Sequence, residues 1–253
     1  MTSSQQALHD PSLTPGRKPV TELLNDHTDS IDTVYIASDI PGLGDILARC
    51  RETGVRFRKT RRQELDRMFH GNHQGVIARV RSRQLLDLQA LLDRAMHAPL
   101  PLILALDQIQ DPGNVGTLAR TLYAIGGAGL LFPKDRTAFL GQAAAKASAG
   151  ALDHIGLCQV VNLARALDEC AKAGFSIYGT GGGEDSKELY TARLHLPAVL
   201  VLGNEDKGIR PNVGKRCDEI LTIPMQRGFD SLNVAQAGAM IMAEMLRRSR
   251  QTT

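Results

Sequence analysis

Residues 198–243 read AVLVLGNEDKGIRPNVGKRCDEILTIPMQRGFDSLNVAQAGAMIMA, and this stretch decides the fold. An apolar run, Ala198 to Leu202, stops at Gly203-Asn204-Glu205. A second strand-like run, Glu219 to Ile223, stops at Pro224. Gly228 then opens a loop, and Ser231-Leu232-Asn233 leads into a helix of small apolar residues. Two short strands that each end in a polar, glycine-bearing loop are the pattern of an open α/β sheet, whose ligands sit at the carboxyl ends of its strands. Gly203, Asn204, Glu205, Ile223, Ser231 and Asn233 are thereby placed where one ligand meets them all.

Working upstream, the same alternation continues. Strands are predicted at Leu102–Leu106, Gly129–Phe132, Ile155–Val161 and Ser176–Thr180, with helical segments between them. Some 150 residues of βαβα argue for a parallel sheet covered on both faces. Residues 17–81 alternate in the same way on a smaller scale, with strands expected at Thr33–Ala37, Val55–Phe57 and Gln74–Val80, near the lower size limit of an independent domain. Between them, Leu85, Leu88, Leu91 and Leu92 give a helical spacing that stops before Pro99 and Pro101, and 82–99 reads as a linker. Residues 1–16, rich in Ser, Thr, Gln and Pro, are expected to be a disordered tail. The domain reading is thus 1–16, 17–81, 82–99 and 100–253.

The chain has 253 residues and a net charge of +3, too small to decide anything alone. Its distribution decides more. Arg49 to Arg83 holds eleven Lys/Arg against three acids, so the rest of the chain is net acidic. A solvated face explains a lone charge run; a basic lobe on a mildly acidic protein also suits a polyanion. The four cysteines (50, 158, 170, 217) form no CxxC pair, and reduced, structural thiols suit the cytosol. His70 and His73 form HxxH without a second ligand pair, so no zinc site is expected. No window approaches the ~20 apolar residues of a membrane span. The polar N-terminus carries no secretory signal.

Three motifs then stand in order: Asp111-Pro112-Gly113-Asn114-Val115-Gly116 through Arg120, Gly203-Asn204-Glu205-x-x-Gly208, and Ile223-Pro224-Met225 followed by Ser231-Leu232-Asn233-Val234. Together they resemble motifs 1 to 3 of the SpoU branch of SPOUT methyltransferases, over Leu100 to the C-terminus. Within that family the chain looks most like bacterial 23S rRNA guanosine 2′-O-methyltransferases. His73-Gln74-Gly75 is similar to the signature that closes the small substrate-binding domain found before many such catalytic domains. One departure is Arg227, where many relatives carry Gly.

The resemblance implies an α/β protein with a SPOUT parallel-sheet catalytic domain and a C-terminal trefoil knot, preceded by a small α/β substrate-binding domain. It implies an enzyme that moves a methyl group from S-adenosyl-L-methionine to a ribose 2′-hydroxyl of RNA, 23S rRNA in the first instance. It also implies a cytoplasmic homodimer joined through the last helix and motif 1. Two rivals stay open: a tRNA ribose methyltransferase of the same fold, and a non-catalytic RNA-binding protein.

The catalytic set carried over is Asn114, Arg120, Glu205, Ser231 and Asn233. The cofactor set is Thr180, Gly181, Gly203, Asn204, Gly208, Ile223, Met225 and Leu232; no metal is expected. Each residue also has a plainer reading. Asn114 and Ser231 are good helix N-caps, Arg120 suits a surface ion pair, and Glu205 suits an exposed loop. In the functional reading Arg120 holds RNA phosphate bidentately and Glu205 fixes Arg120 or a backbone amide. Gly179-Thr180-Gly181-Gly182-Gly183 lacks the third glycine of a dinucleotide motif, and reads equally as a glycine turn against the cofactor or as a flexible loop.

Overall fold

The computed structural model describes residues 12–26, 28–80, 84–135, 137–138, 140–183, 186–227 and 231–251. The chain divides into two compact units, Met1–Arg83 and Gln84–Thr253. The first is built from β1 (Leu13–Pro15), α1 (Arg17–Asp26), β2 (Ile31–Ala37), α2 (Gly44–Glu52), β3 (Phe57–Thr60), α3 (Arg62–Met68) and β4 (Val76–Val80). Its sheet runs in the order β1-β4-β2-β3, with β2 parallel to β3 and antiparallel to β4.

Two boundaries here differ from the sequence reading. Part of the expected tail is structured: Leu13–Pro15 pairs with β4 and buries Leu13. Positions 1–11 of that tail lie outside the described residues. The strand expected at Val55–Phe57 instead runs Phe57–Thr60, because its register is fixed by Val34 to Ala37 on β2. His73 is a buried scaffold residue. Its Nδ1 accepts from Gly75 N–H at 3.1 Å and its Nε2 lies 2.9 Å from Asp66 Oδ1. No metal-holding cluster of His, Cys, Asp and Glu occurs among the described residues.

The second unit comprises α4 (Leu88–Met96), β5 (Leu102–Asp107), α5 (Pro112–Ala124), β6 (Gly129–Pro133), α6 (Gln142–Ser148), β7 (Gly156–Val160), α7 (Leu163–Lys172), β8 (Ser176–Thr180), β9 (Lys187–Glu188), β10 (Ala198–Gly203), α8 (Pro211–Gly214), β11 (Glu219–Thr222) and α9 (Val234–Ser249). The sheet order is β7-β6-β5-β10-β8-β11-β9, and its strand pairs are parallel. The expected α/β architecture, a parallel-sheet domain behind a small N-terminal unit, is the one observed.

Buried strands without alternation are what two covered faces require. Leu102, Leu104 and Leu106 of β5 enter one core with Leu118, Leu122, Ile241 and Met245 of α5 and α9. Ile103 and Ala105 enter the other, with Leu91 and Leu92 of α4 and Leu167 of α7. From Gln84 onward, the segment read as a linker therefore belongs to this unit. Its leucine stripe caps the sheet, and Leu86 bridges to Cys158 beside β7. Strand β10 follows β8 in the chain yet inserts between β5 and β8.

Candidate active site

Because the strands are parallel, β5, β10, β8 and β11 bring Asp107, Gly203, Thr180 and Thr222 side by side at one edge. The helix after β5 opens with Asp111, whose side chain accepts from Gly113 N–H at 2.9 Å, and with Pro112 in the first turn. Asp111 is the cap, so the capping role read for Asn114 does not hold. Its amide is released to the site, where Nδ2 donates to Glu205 Oε1 at 2.6 Å.

The last helix is capped by Asn233, whose Oδ1 accepts from Ala235 N–H at 2.9 Å and Gln236 N–H at 3.4 Å. Ser231, read as that cap, lies two positions earlier and is exposed. Asn233 keeps its Nδ2 for Asn114 Oδ1, at 3.1 Å. Asn114 thus stands between Glu205 and Asn233, joining three segments far apart in sequence.

Glu205 is exposed on a tight turn closed by Asn204 and Gly208, each donating its N–H to the other's carbonyl at 3.1 and 2.8 Å. Asn204 Oδ1 accepts from the N–H groups of Asp206 and Lys207. Gly203 has to be glycine, since a Cβ there would run into the backbone of Gly208 and Ile209. Gly208 takes a positive φ of +65°, which glycine adopts without steric cost.

Arg120 is not part of this cluster. It is exposed and has no partner among the described residues, so neither the surface ion pair nor the contact with Glu205 is present. Six residues along a helix is about 9 Å and roughly 120° short of two turns, so Arg120 leaves α5 on a different side from Asn114.

The remaining predicted positions line the edge beyond β10. Gly181 N–H donates to Leu221 O at 3.1 Å, tying the end of β8 to β11. Ile223 and Leu232 are half-buried and Met225 is exposed. Past Thr222 the chain has left the sheet, and among the described residues Ile223 and Met225 make no backbone–backbone hydrogen bond. Apolar side chains beside free backbone polar groups suit a flat heterocycle such as adenine. Sequence reasoning missed Asp107, Gln108 and Arg210, which hold the Glu205 turn from beneath. The available signal was a lone charge ending an apolar strand and an Arg-Pro pair closing the loop.

The model of the SpoU rRNA methylase family matches residues 101–243, which is the whole of this site. The chain belongs to that family. A second model, RNA 2′-O ribose methyltransferase substrate binding, matches residues 13–86. A relative from Pseudomonas putida, named 23S rRNA (guanosine-2′-O-)-methyltransferase RlmB, is 35% identical over 238 residues, spanning 92% of this chain and 95% of its own. The protein of the same name from Pseudomonas aeruginosa is 40% identical over 190 residues, 74% of this chain and 75% of its own. Among solved structures, the AdoMet-bound rRNA methyltransferase of Sinorhizobium meliloti aligns over 93% of this chain and 87% of its own, with a TM-score of 0.61 at 22% identity. At that identity the likeness speaks for the fold. The trefoil knot is what SpoU membership implies for the segment around β10, β11 and α9.

Proposed function

We propose that this protein transfers a methyl group from S-adenosyl-L-methionine to the ribose 2′-hydroxyl of a guanosine in 23S rRNA. The observation that carries this reading is the Asn114–Glu205–Asn233 cluster at the carboxyl edge of the parallel sheet, in a chain similar along most of its length to named 23S rRNA guanosine 2′-O-methyltransferases.

The loops at Thr180 and Gly181, at Gly203 to Gly208, and at Ile223 and Met225 hold the cofactor, with Leu232 closing its apolar wall. S-adenosyl-L-methionine supplies an electrophilic methyl group on its sulfonium. Methyl transfer then asks the chain for in-line placement of the 2′-oxygen and for help with one proton. Asn114 and Asn233 orient the ribose by hydrogen bonds. Glu205 would accept the hydrogen bond of the 2′-hydroxyl, orient that oxygen and take up its proton as the oxygen is methylated. Ser231, exposed beside Asn233, adds a further hydrogen bond to the ribose. Arg120 binds the target phosphate through its guanidinium fork.

Arg120 points away from its own chain's Asn114, and this supports a homodimer in which α5 and α9 meet a second copy. The N-terminal unit holds the RNA outside the site through its basic strand β3. Among the described residues no helix is long and apolar enough to cross a membrane, and rRNA as substrate fits a cytoplasmic enzyme. Mapping ribose methylation in ribosomal RNA from cells lacking the protein tests the reading. Loss of one 2′-O-methylguanosine in 23S rRNA is expected; an unchanged map overturns it.

A further inference from the structure

Asp107 is the last residue of β5 and has no exposed surface. A buried carboxylate is costly unless paired and hydrogen-bonded, and truncating one member of such a pair leaves the other stranded. Both oxygens of Asp107 are taken by one residue. Oδ2 accepts the backbone N–H of Arg210 at 2.8 Å, while Oδ1 accepts Arg210 Nε at 2.7 Å and lies 2.7 Å from Nη2. Pro211 follows, and the residue before a proline is confined to extended backbone, which pre-sets the Arg210 N–H for this contact.

The neighbouring residue does the same for the other end of the loop. Gln108 adopts a left-handed φ of +65°, a conformation that side chains of its kind adopt seldom and only where the surroundings impose it. Its carbonyl accepts from Asn204 Nδ2 at 3.2 Å. Both ends of the 204–210 loop are therefore fastened to two consecutive residues at the end of β5. Inside the loop, the Asn204–Gly208 pair and the Asn204 side chain leave the turn little freedom. The residue it presents is Glu205. The group Glu205 meets, Asn114, sits on the helix that the same strand leads into.

We propose that the Asp107–Arg210 pair is a positioning device for Glu205. It sets the rate of methyl transfer by holding the Glu205 carboxylate against Asn114, and does not itself touch substrate. This rests on Glu205 acting at the site as proposed above. An anchor needed for the fold alone would affect stability and would cost the same in any active-site background. A positioning pair acts through Glu205, so its removal costs little once Glu205 is disabled.

The test is a double-mutant cycle in single-turnover methylation of 23S rRNA taken from cells lacking the protein, with thermal midpoints recorded for each variant. Arg210→Ala should slow transfer roughly 100-fold, the scale of an ångström-level misplacement, with KM for RNA within about twofold. Arg210→Lys should recover part of the rate, because an ammonium replaces the charge but not the fork. In a Glu205→Gln background, Arg210→Ala should add less than about threefold. An equal factor in both backgrounds, or a parental rate for Arg210→Ala, overturns the proposal. If Arg210→Ala does not fold, Arg210→Lys and Asp107→Asn are carried through the same cycle under the same criteria. A parental rate for Glu205→Gln would instead remove the site assignment itself, and the positioning role with it.

Discussion

Asn114 donates to Glu205 Oε1 at 2.6 Å although ninety-one positions separate them. The pair exists because Asp111 takes over the capping of α5, leaving Asn114 one turn in with an amide free for another task. A side chain released from capping and aimed at a carboxylate at a strand end is arranged for a ligand, not for the helix. Asn114→Ala should therefore lower methyl transfer by about 10²–10³, the range seen when one aligned hydrogen-bonding group is removed from a reacting centre. Binding of the cofactor, measured by calorimetry, should persist. A turnover within threefold of the parent would return Asn114 to a structural role.

Asn233 divides its side chain between two jobs, since Oδ1 caps α9 while Nδ2 reaches Asn114. Asn233→Asp and Asn233→Ala separate them. The aspartate keeps the capping acceptor and replaces the amide with a second oxygen, so stability should hold while transfer falls. The alanine should lose transfer and also about 1 kcal/mol of stability, the usual cost of losing an N-cap. Equal melting temperatures for the two variants would show that the cap contributes nothing.

On the N-terminal unit, Arg58 and Lys59 lie exposed on β3, with Arg61 and Arg62 following at the start of α3. Arg58 pairs with Glu64 at 3.5 Å and Arg62 with Asp66 at 4.0 Å; both pairs are open to solvent and worth little. These cations are free to exchange their partners for phosphate. Replacing all four with Ala should weaken RNA binding and flatten the plot of log affinity against log salt by roughly 0.7–0.9 for each phosphate no longer neutralised. An unchanged slope would make the stretch a solvated face.

The buried Glu244 ties the end of α9 together. It accepts from Arg247 and Arg248, and Arg248 also donates to carbonyls of Leu189, Tyr190 and Ala192. The Arg247 hydrogen bond, reinforced by Arg248 and opposed by burial, lowers the Glu244 carboxyl from 4.5 to about 2. A depressed folded-state pKa stabilises fully above the unfolded value and loses its effect as pH falls through the folded one. Glu244→Gln should therefore be less stable than the parent at neutral pH, by roughly 1–3 kcal/mol. The gap should narrow between pH 4.5 and about 2. Urea unfolding across that range measures it, and a gap independent of pH would deny the pairing a role.

The sheet was legible because uninterrupted apolar runs between glycine-bearing loops have few other meanings, and the motif loops followed from where such runs end. What could not be read was the choice among equivalent side chains. Ser231 and Asn233 are both good caps, and Asn233 holds the position because Asn114 meets its other end from 119 residues away. Arg210 looked like any loop cation until Asp107, 103 positions earlier, was found beneath it. The stripe of 82–99 was plain in sequence, but the face of the sheet it covers is a long-range fact. The broad apolar coverage of α9 reads, from sequence alone, as a helix buried in its own unit, and only the family resemblance adds a second chain. Val234, Ala235, Ile241, Met242 and Met245 line the core of their own unit.

What α9 leaves outside is a narrower strip, with Met240 40% exposed and Ala243 exposed beside it. On α5 the exposed positions include Thr117, Arg120, Tyr123 and Ala124, with Tyr123 48% exposed and stacked on His154. If this strip meets a second copy, Arg120 is delivered to a neighbouring Asn114 instead of its own. Sedimentation equilibrium at micromolar concentration should then give twice the chain mass of 27.4 kDa, and a single-chain mass overturns the dimer. Arg120→Ala alone should abolish transfer while leaving the fold and cofactor binding intact; near-normal turnover would deny it a part in the reaction. Mixing inactive Arg120→Ala chains with inactive Asn233→Ala chains separates the two geometries. With Arg120 acting across the interface, each heterodimer has one site that takes both lesions and one that takes neither, so activity returns to about a quarter of the parent at equal mixing, half the dimers being mixed and each having one good site. With Arg120 acting within its own chain, every site keeps one lesion and the mixture stays inactive.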